Sequence, residues 1–211
     1  LDVPLRERNV LLVAAGFAPV FRERKISDPA LSAQRQAIDL VLKGHEPYPA
    51  LAIDRHWTMI SANAVVPLLL AGNEAALLTP PVNVLRLSLH PGGLASRIAN
   101  LAQWRGHLLE RLRRQVEVSA DPKLGELLAE LKALPAPSQP VPRRPEAAQA
   151  ADSVVVPFQL ATEAGVLSFF STTTVFGTPV DITLSELAVE AFYPADTATA
   201  DALRVIAGQR G

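Results

Sequence analysis

The clearest alternation of apolar and polar residues lies near the C-terminal end of the chain, between Leu167 and Asp196. A Phe- and Thr-rich run ends at Gly177–Pro179, and a second run extends from Leu184 to Tyr193. One face of this run holds Leu187, Val189, Ala191 and Tyr193, and the other holds Glu186, Ala188 and Glu190. A period of two predicts a half-buried strand, with Glu186 and Glu190 facing water.

Four further segments have strand patterns that hairpin turns could join. Leu51–Ile53 and Trp57–Met59 alternate on either side of a predicted turn at residues 54–56. Val154–Leu160 and Val166–Phe176 flank a second predicted turn, which contains Gly165.

Helical spacing separates the two groups of strands. An N-terminal capping residue and a proline in the first turn mark two helix starts, at Asp28–Pro29 and Asp121–Pro122, and Asn63 is predicted to cap a third. The predicted helices cover 4–15, 29–44, 63–70, 94–118, 122–134 and 197–206. Residues 73–93 are predicted to be irregular, with a brief alternation at Leu85, Leu87 and Leu89.

These elements predict an α+β fold. Two groups of strands that hairpins can connect favour one five-stranded antiparallel sheet with helices on one face, plus N-terminal connector helices. Residues 135–151 are rich in proline and lack a hydrophobic period, so we interpret them as an exposed loop.

Composition excludes several function classes. Of the 211 residues 49% are apolar, which suffices for a sizeable core. Twenty basic residues face twenty-one acidic ones, so this chain is not expected to bind DNA or a charged membrane itself. The lack of cysteine favours a cytoplasmic setting. Because the sequence begins at Leu1, we expect a fragment whose N-terminal part is missing.

No motif for catalysis stands out. The four histidines lack metal-ligand spacing, and the sequence contains no Gly-x-Ser-x-Gly turn and no phosphate-binding glycine loop. We therefore predict neither an enzyme nor a catalytic or metal site. No cofactor is predicted apart from a bound fatty acid or similar lipid.

Arg105 is the most informative single residue, because it lies beside the apolar stripe of the predicted helix 94–118. A guanidinium there either pairs with a structural carboxylate or extends to the surface, or it clamps the carboxylate of a ligand. Nearby Arg111, Arg113 and Arg114 are interpreted as a solvated helix face.

An apolar pocket around Arg105 is the ligand-binding hypothesis. Its other predicted residues are Trp57, Leu68, Leu85, Leu87, Leu101, Trp104, Leu108, Phe158, Leu160, Phe169 and Phe170. The hydroxyls of residues 172–174 could add hydrogen bonds. The alternative for each apolar residue is a place in the ordinary sheet core.

Long blocks of the sequence carry a family resemblance. They are LRERNVLLVAAGFAPVFRER, HEPYPALAIDRHWTMISANAVVPLLL, NVLRLSLHPGGLASRIANLAQWRGHLLERLRRQ and LSFFSTTTVFGTPVDITLSELAVEAFYPADTATADALR. Together they resemble the C-terminal region of MmyB-like transcription regulators, which are bacterial proteins of the XRE helix-turn-helix type. The resemblance covers nearly the whole chain in order and departs only at the proline-rich loop.

The resemblance implies a PAS-like ligand-binding domain over 27–211, with 1–26 as the end of a DNA-binding module or a connector helix. DNA would then be bound by the missing N-terminal module and not by this fragment. The implied ligand is a small apolar or acidic molecule, fatty-acid-like in this family. A homodimer is also expected, and a membrane partner is not.

Three functions remain open at this point. The first is a sensor domain of a one-component transcription regulator. The second is a ligand-free PAS-like module for dimerisation or protein interaction, which a solid core would favour and a cavity would disfavour. The third is an enzyme, which the absent signatures place last.

Overall fold

The structure is a computed structural model that describes residues 3–135, 156–176 and 181–208. Most of the predicted proline-rich loop, the predicted start of a strand at Val154 and the predicted break at Gly177–Pro179 lie outside these residues.

One antiparallel sheet of five strands organises the fold, and its strand order is β2-β1-β5-β4-β3. The strands are β1 (Ala50–Ile53), β2 (Met59–Ala62), β3 (Phe158–Thr162), β4 (Gly165–Val175) and β5 (Ala188–Pro194). β5 occupies the centre, where Glu190 lies opposite Leu51 of β1 and Thr173 of β4. The predicted α+β fold with a PAS-like five-stranded sheet is confirmed.

The helices in the described ranges, apart from short 3-10 turns, are numbered in chain order. They are α1 (Leu5–Ala14), α2 (Ser32–Gly44), α3 (Val66–Leu69), α4 (Ala75–Leu78), α5 (Val84–Leu89), α6 (Leu101–Ser119), α7 (Pro122–Ala133), α8 (Ile182–Ser185) and α9 (Thr197–Gly208). The predicted caps at Asp28 and Asp121 are confirmed, because their side chains accept hydrogen bonds from the backbone N–H of Ala30 and Lys123.

The two faces of the sheet pack against different helices. One face contributes Ala50, Ala52, Val189 and Ala191, which pack with the apolar side of helix α2. The opposite face contributes Phe169 and other apolar side chains to a larger core shared with α5, α6 and α7. Because this face is covered, Glu190 is only 5% exposed. The expectation that Glu190 faces water is wrong.

Three predicted boundaries differ from the structure because local hydrogen bonds decide them. The alternating leucines of 85–89 belong to helix α5, whose start Asn83 caps by accepting from the N–H groups of Leu85 and Arg86. The predicted helix from Leu94 is interrupted, since residues 98–100 follow the edge of β3 and Ala99 N–H donates to Gln159 O at 2.8 Å. β5 begins at Ala188 because Asp181 caps the short helix α8.

The predicted second strand also begins late. Trp57 lies in the turn between β1 and β2, with a φ of 66° that places it in the left-handed region. Residues other than glycine and asparagine seldom adopt this backbone conformation, so surrounding contacts must hold Trp57 there.

Asn63 does not cap a helix, contrary to the prediction. Its buried side chain accepts a hydrogen bond from Ala50 N–H at 3.3 Å and donates to the carbonyls of Leu42 and Tyr48 at 3.2 and 2.7 Å. The N–H of Ala64 donates instead to Glu46 Oε1. Asn63 therefore joins the end of α2, the following loop and strand β1.

Replacing Asn63 with Ala should lower the free energy of unfolding by about 2 kcal/mol, because buried backbone groups lose their partners. Urea denaturation would measure the change. The matched control is Asn73→Ala, which removes a single hydrogen bond to Leu70 O and should cost clearly less. Equal losses in the two variants would contradict this role for Asn63.

Candidate functional site

A mostly apolar cavity lies between the sheet and the helices that cover it. The space between its atoms amounts to about 880 Å³, which includes solvent at the open end. The wall includes residues from all five strands or their adjoining turns, and from α3, α5 and α6. The centre of a water-sized sphere can lie anywhere in about 110 Å³ of this space, whereas a single buried water needs roughly 10–15 Å³. The core is therefore hollow at the position where the sequence predicts a pocket.

The wall of this cavity contains many of the residues predicted for the site. They are Trp57, Leu85, Leu87, Trp104, Leu108, Phe158, Leu160 and Phe169. The rings of Trp104 and Phe158 meet with their centroids 5.0 Å apart, so the two sides of the cavity touch there. Contact of these residues with a ligand stays a prediction.

The remaining predicted residues are not part of this wall. Phe170 points to the opposite face of the sheet, because neighbouring residues of a strand alternate, and it stacks on Tyr193 at 5.2 Å. Leu101 packs against the core at the first turn of α6 without reaching the cavity. On α3, Leu69 faces the cavity and its neighbour Leu68 does not.

Arg105 is also not among the residues of the cavity wall, and its predicted contact with a ligand stays a prediction. Its Nη2 donates to the carbonyl oxygens of Leu131 and Lys132 at 2.9 and 3.0 Å. These carbonyls belong to the last turn of α7, where backbone acceptors lack partners within the helix. Arg105 therefore caps a helix end.

The cation on the cavity wall is Arg111, which the sequence analysis placed on a solvated face. Its Nη2 donates to Glu190 Oε1 at 2.5 Å and to Thr173 Oγ1 at 3.0 Å, and the guanidinium lies 4.6 Å from the Trp57 ring. The arginines that follow it do face solvent: Arg113 and Arg114 hold the pKa of Glu110 at about 2 by hydrogen bonding.

Glu190 is the other charged residue of the wall that sequence reasoning missed. Its carboxylate is buried on the central strand and also accepts from the Thr173 hydroxyl at 2.9 Å. The spacing along the strand could have indicated this position. Glu190 and the cavity-facing Phe192 are two residues apart, so both side chains project from the same face of β5.

Hydrogen bonds fix the unusual turn that carries Trp57. Its indole Nε1–H donates to Gln115 Oε1 at 2.8 Å, and Gln115 Nε2 donates to Arg55 O at 2.8 Å. The amide of Asn83 donates to His56 O at 2.9 Å. Helices α5 and α6 therefore hold Trp57 against the cavity.

Ionic contacts extend from this turn to the N-terminal helix. Arg55 pairs with Asp121 and, at 3.3 Å, with Glu186. Glu186 in turn accepts from Arg6 of α1 at 2.7 Å, and Arg6 also pairs with Glu23. A continuous series of contacts thus connects the cavity wall with α1.

A histidine packs behind the cavity. The His107 ring stacks on Trp104 with centroids 5.5 Å apart, while Trp104 Nε1–H donates to Ser88 Oγ at 3.0 Å. Burial lowers the pKa of His107, and the charge of Arg111 lowers it further, although Glu190 acts in the opposite direction.

Within 3–135, 156–176 and 181–208, no group of three or more His, Asp or Glu residues could hold a metal ion. Across the same residues no helix combines the length and apolar character needed to cross a membrane.

A family model described as the MmyB-like transcription regulator ligand binding domain matches residues 34–206. The chain belongs to this family. It is therefore the ligand-binding domain of a transcription regulator, as the resemblance predicted. The matched residues include α5, α6 and the five strands, and so the whole cavity wall. A search of curated proteins found no match to the chain.

Replacing Arg111 with Met should leave the buried side chain of Glu190 without its cation. We expect the free energy of unfolding, measured by urea denaturation, to fall by about 2 kcal/mol. This loss is smaller than the loss from breaking a fully buried ion pair, because Arg111 is partly exposed. Arg113→Met, on the solvent side of α6, should cost less than about 1 kcal/mol. The double variant Arg111→Met/Glu190→Leu should recover most of the loss, and an additive loss would contradict a direct pairing.

His107 predicts a pH dependence of stability. The pKa of His107 in the folded chain lies below its value of about 6.5 in the unfolded chain. As the pH drops below about 6.5, His107 therefore takes up a proton in the unfolded chain first, and in the folded chain only at a lower pH. The contribution of His107 to the free energy of unfolding must therefore fall as the pH drops through about 6.5. His107→Gln should flatten this loss between about pH 7 and about pH 5, measured by urea denaturation at each pH. An unchanged slope would show that other groups cause it.

Proposed function

We propose that this chain is the ligand-sensing domain of a bacterial one-component DNA-binding transcription regulator and that it binds a small apolar, fatty-acid-like molecule in its cavity. The observation that carries the proposal is the open apolar cavity in the core of a domain from a ligand-binding family.

The chemistry of the wall supports an apolar ligand. Aromatic and aliphatic side chains from both the sheet and the helices form most of it. Transfer of an aliphatic chain from water into such surroundings is favourable by roughly 25 cal/mol for each Å² of apolar surface removed from water. A hollow core also disfavours the alternative of a solid, ligand-free module.

The contacts around Trp57 supply a route for the signal. A ligand against Trp57 would favour one arrangement of its turn, and Arg55 in that turn pairs with Glu186, the partner of Arg6 in α1. A helix-turn-helix module of the XRE type, joined on the N-terminal side and acting in the cytoplasm, would receive the shift through α1. Transmission requires the ligand to bind the two arrangements unequally.

Organic extraction of the purified chain followed by mass spectrometry should identify a bound lipid, and saturating fatty acids should raise its melting temperature. Ser171→Phe should abolish this shift, because Ser171 lies on the cavity floor and a ring there would occupy ligand space. Thr172→Phe is the matched control: the next residue of β4 is exposed, on the opposite face, and its shift should persist.

Arg105→Leu should also leave the ligand-induced shift unchanged, because Arg105 caps α7. No co-purified lipid together with no shift at saturating ligand would refute binding in the cavity. A full shift in Ser171→Phe would place the ligand elsewhere.

Association with a second copy is the other candidate function, and one observation favours it. Apolar side chains of α1 and the segment after it are more than half exposed, namely Val10, Leu11, Val13, Phe17 and Val20. Exposed apolar patches often mark interaction surfaces. Sedimentation analysis of the chain with and without ligand would test for a homodimer, and a monomer under both conditions would exclude it.

A further inference from the structure

The charged groups of the cavity wall point to a specific kind of ligand head group. Arg111 and Glu190 lie together on one side, and Thr173 bonds to both. A preference of this cavity for one head group rests on the proposed function, because it concerns the ligand of the same cavity.

The positive charge of Arg111 is already matched. Its Nη2 contacts Glu190 Oε1 at 2.5 Å and its guanidinium packs on Trp57 at 4.6 Å. A carboxylate ligand could use this cation only by competing with Glu190, which is covalently fixed on the central strand and therefore always present. Such a ligand would bring a second carboxylate close to a buried one.

Glu190 offers an unused acceptor. Its Oε1 accepts from both Arg111 and Thr173, whereas no hydrogen bond from the described residues reaches its Oε2. The residue is only 5% exposed and lines the cavity. A carboxylate oxygen of a cavity-wall residue favours a hydrogen-bond donor, because hydrogen bonds to ionised acceptors are roughly twice as strong as neutral ones.

Ser171 adds to the same preference. It lines the cavity on the strand that carries Thr173, two residues away and hence on the same face, and none of the described residues forms a hydrogen bond with its hydroxyl. A hydroxyl both donates and accepts, so it can complete the contacts of a neutral polar head.

We infer that the cavity selects apolar ligands with a neutral head group that donates a hydrogen bond to Glu190, such as a hydroxyl, over ligands of equal length that end in an ionised carboxylate. Glu190 is then the residue that determines specificity, and the hydrogen bond from Arg111 holds it in place.

Isothermal titration of the 211-residue chain with decanol and with decanoate at neutral pH tests this inference. The wild type should bind decanol at least about tenfold more tightly, a ratio that corresponds to about 1.4 kcal/mol. Glu190→Gln keeps the shape of the side chain but removes its charge and frees Arg111. Its affinity for decanoate should rise, and the preference for decanol should shrink or reverse.

Glu110→Gln is the matched control, because Glu110 neighbours Arg111 in sequence but pairs with Arg113 and Arg114 at the surface. Its ratio of affinities should equal that of the wild type. Equal or tighter binding of decanoate by the wild type would overturn the inference and leave the proposed function standing. A decanol preference that survives Glu190→Gln would remove Glu190 from the role. If neither compound binds, the proposed function itself fails.

Discussion

The ion pair between Arg111 and Glu190 is the contact on which the arrangement of the cavity depends. It ties the middle of α6 to the central strand of the sheet and, through the Trp57 ring, to the turn between β1 and β2. Without this polar contact the covering helix and the sheet would meet here only through apolar side chains, which are not directional. A buried pair of this kind adds geometric definition more than net stability.

Much of the fold followed from local signals in the sequence. Asp28 and Asp121 precede prolines and cap helices in the structure, because a side-chain acceptor beside the first turn acts whatever the tertiary surroundings. The predictions of local structure were wrong at side chains that could bond to more than one partner. Asn63 bonds to the backbone of distant segments, and Asn83 caps a helix that brief alternation had concealed.

The cavity could be predicted in its apolar part and not in its polar part. Aromatic and leucine residues such as Trp104 and Phe169 must be buried somewhere, so their composition indicated a shared core. The choice between Arg105 and Arg111 depended on where α6 begins and how it is rotated against β5, which helical spacing alone does not fix. Glu190 was misplaced for a related reason: alternation shows two faces of a strand, and helices cover both faces of β5.

The two tryptophans of the chain, Trp57 and Trp104, both lie on the cavity wall. One is packed against the guanidinium of Arg111 and the other against the imidazole of His107, so each indole sits beside a polar group inside an apolar space. The tryptophan fluorescence of this chain therefore arises from the walls of the cavity. A ligand that displaces water from the cavity should change the wavelength and the intensity of this fluorescence without any added label.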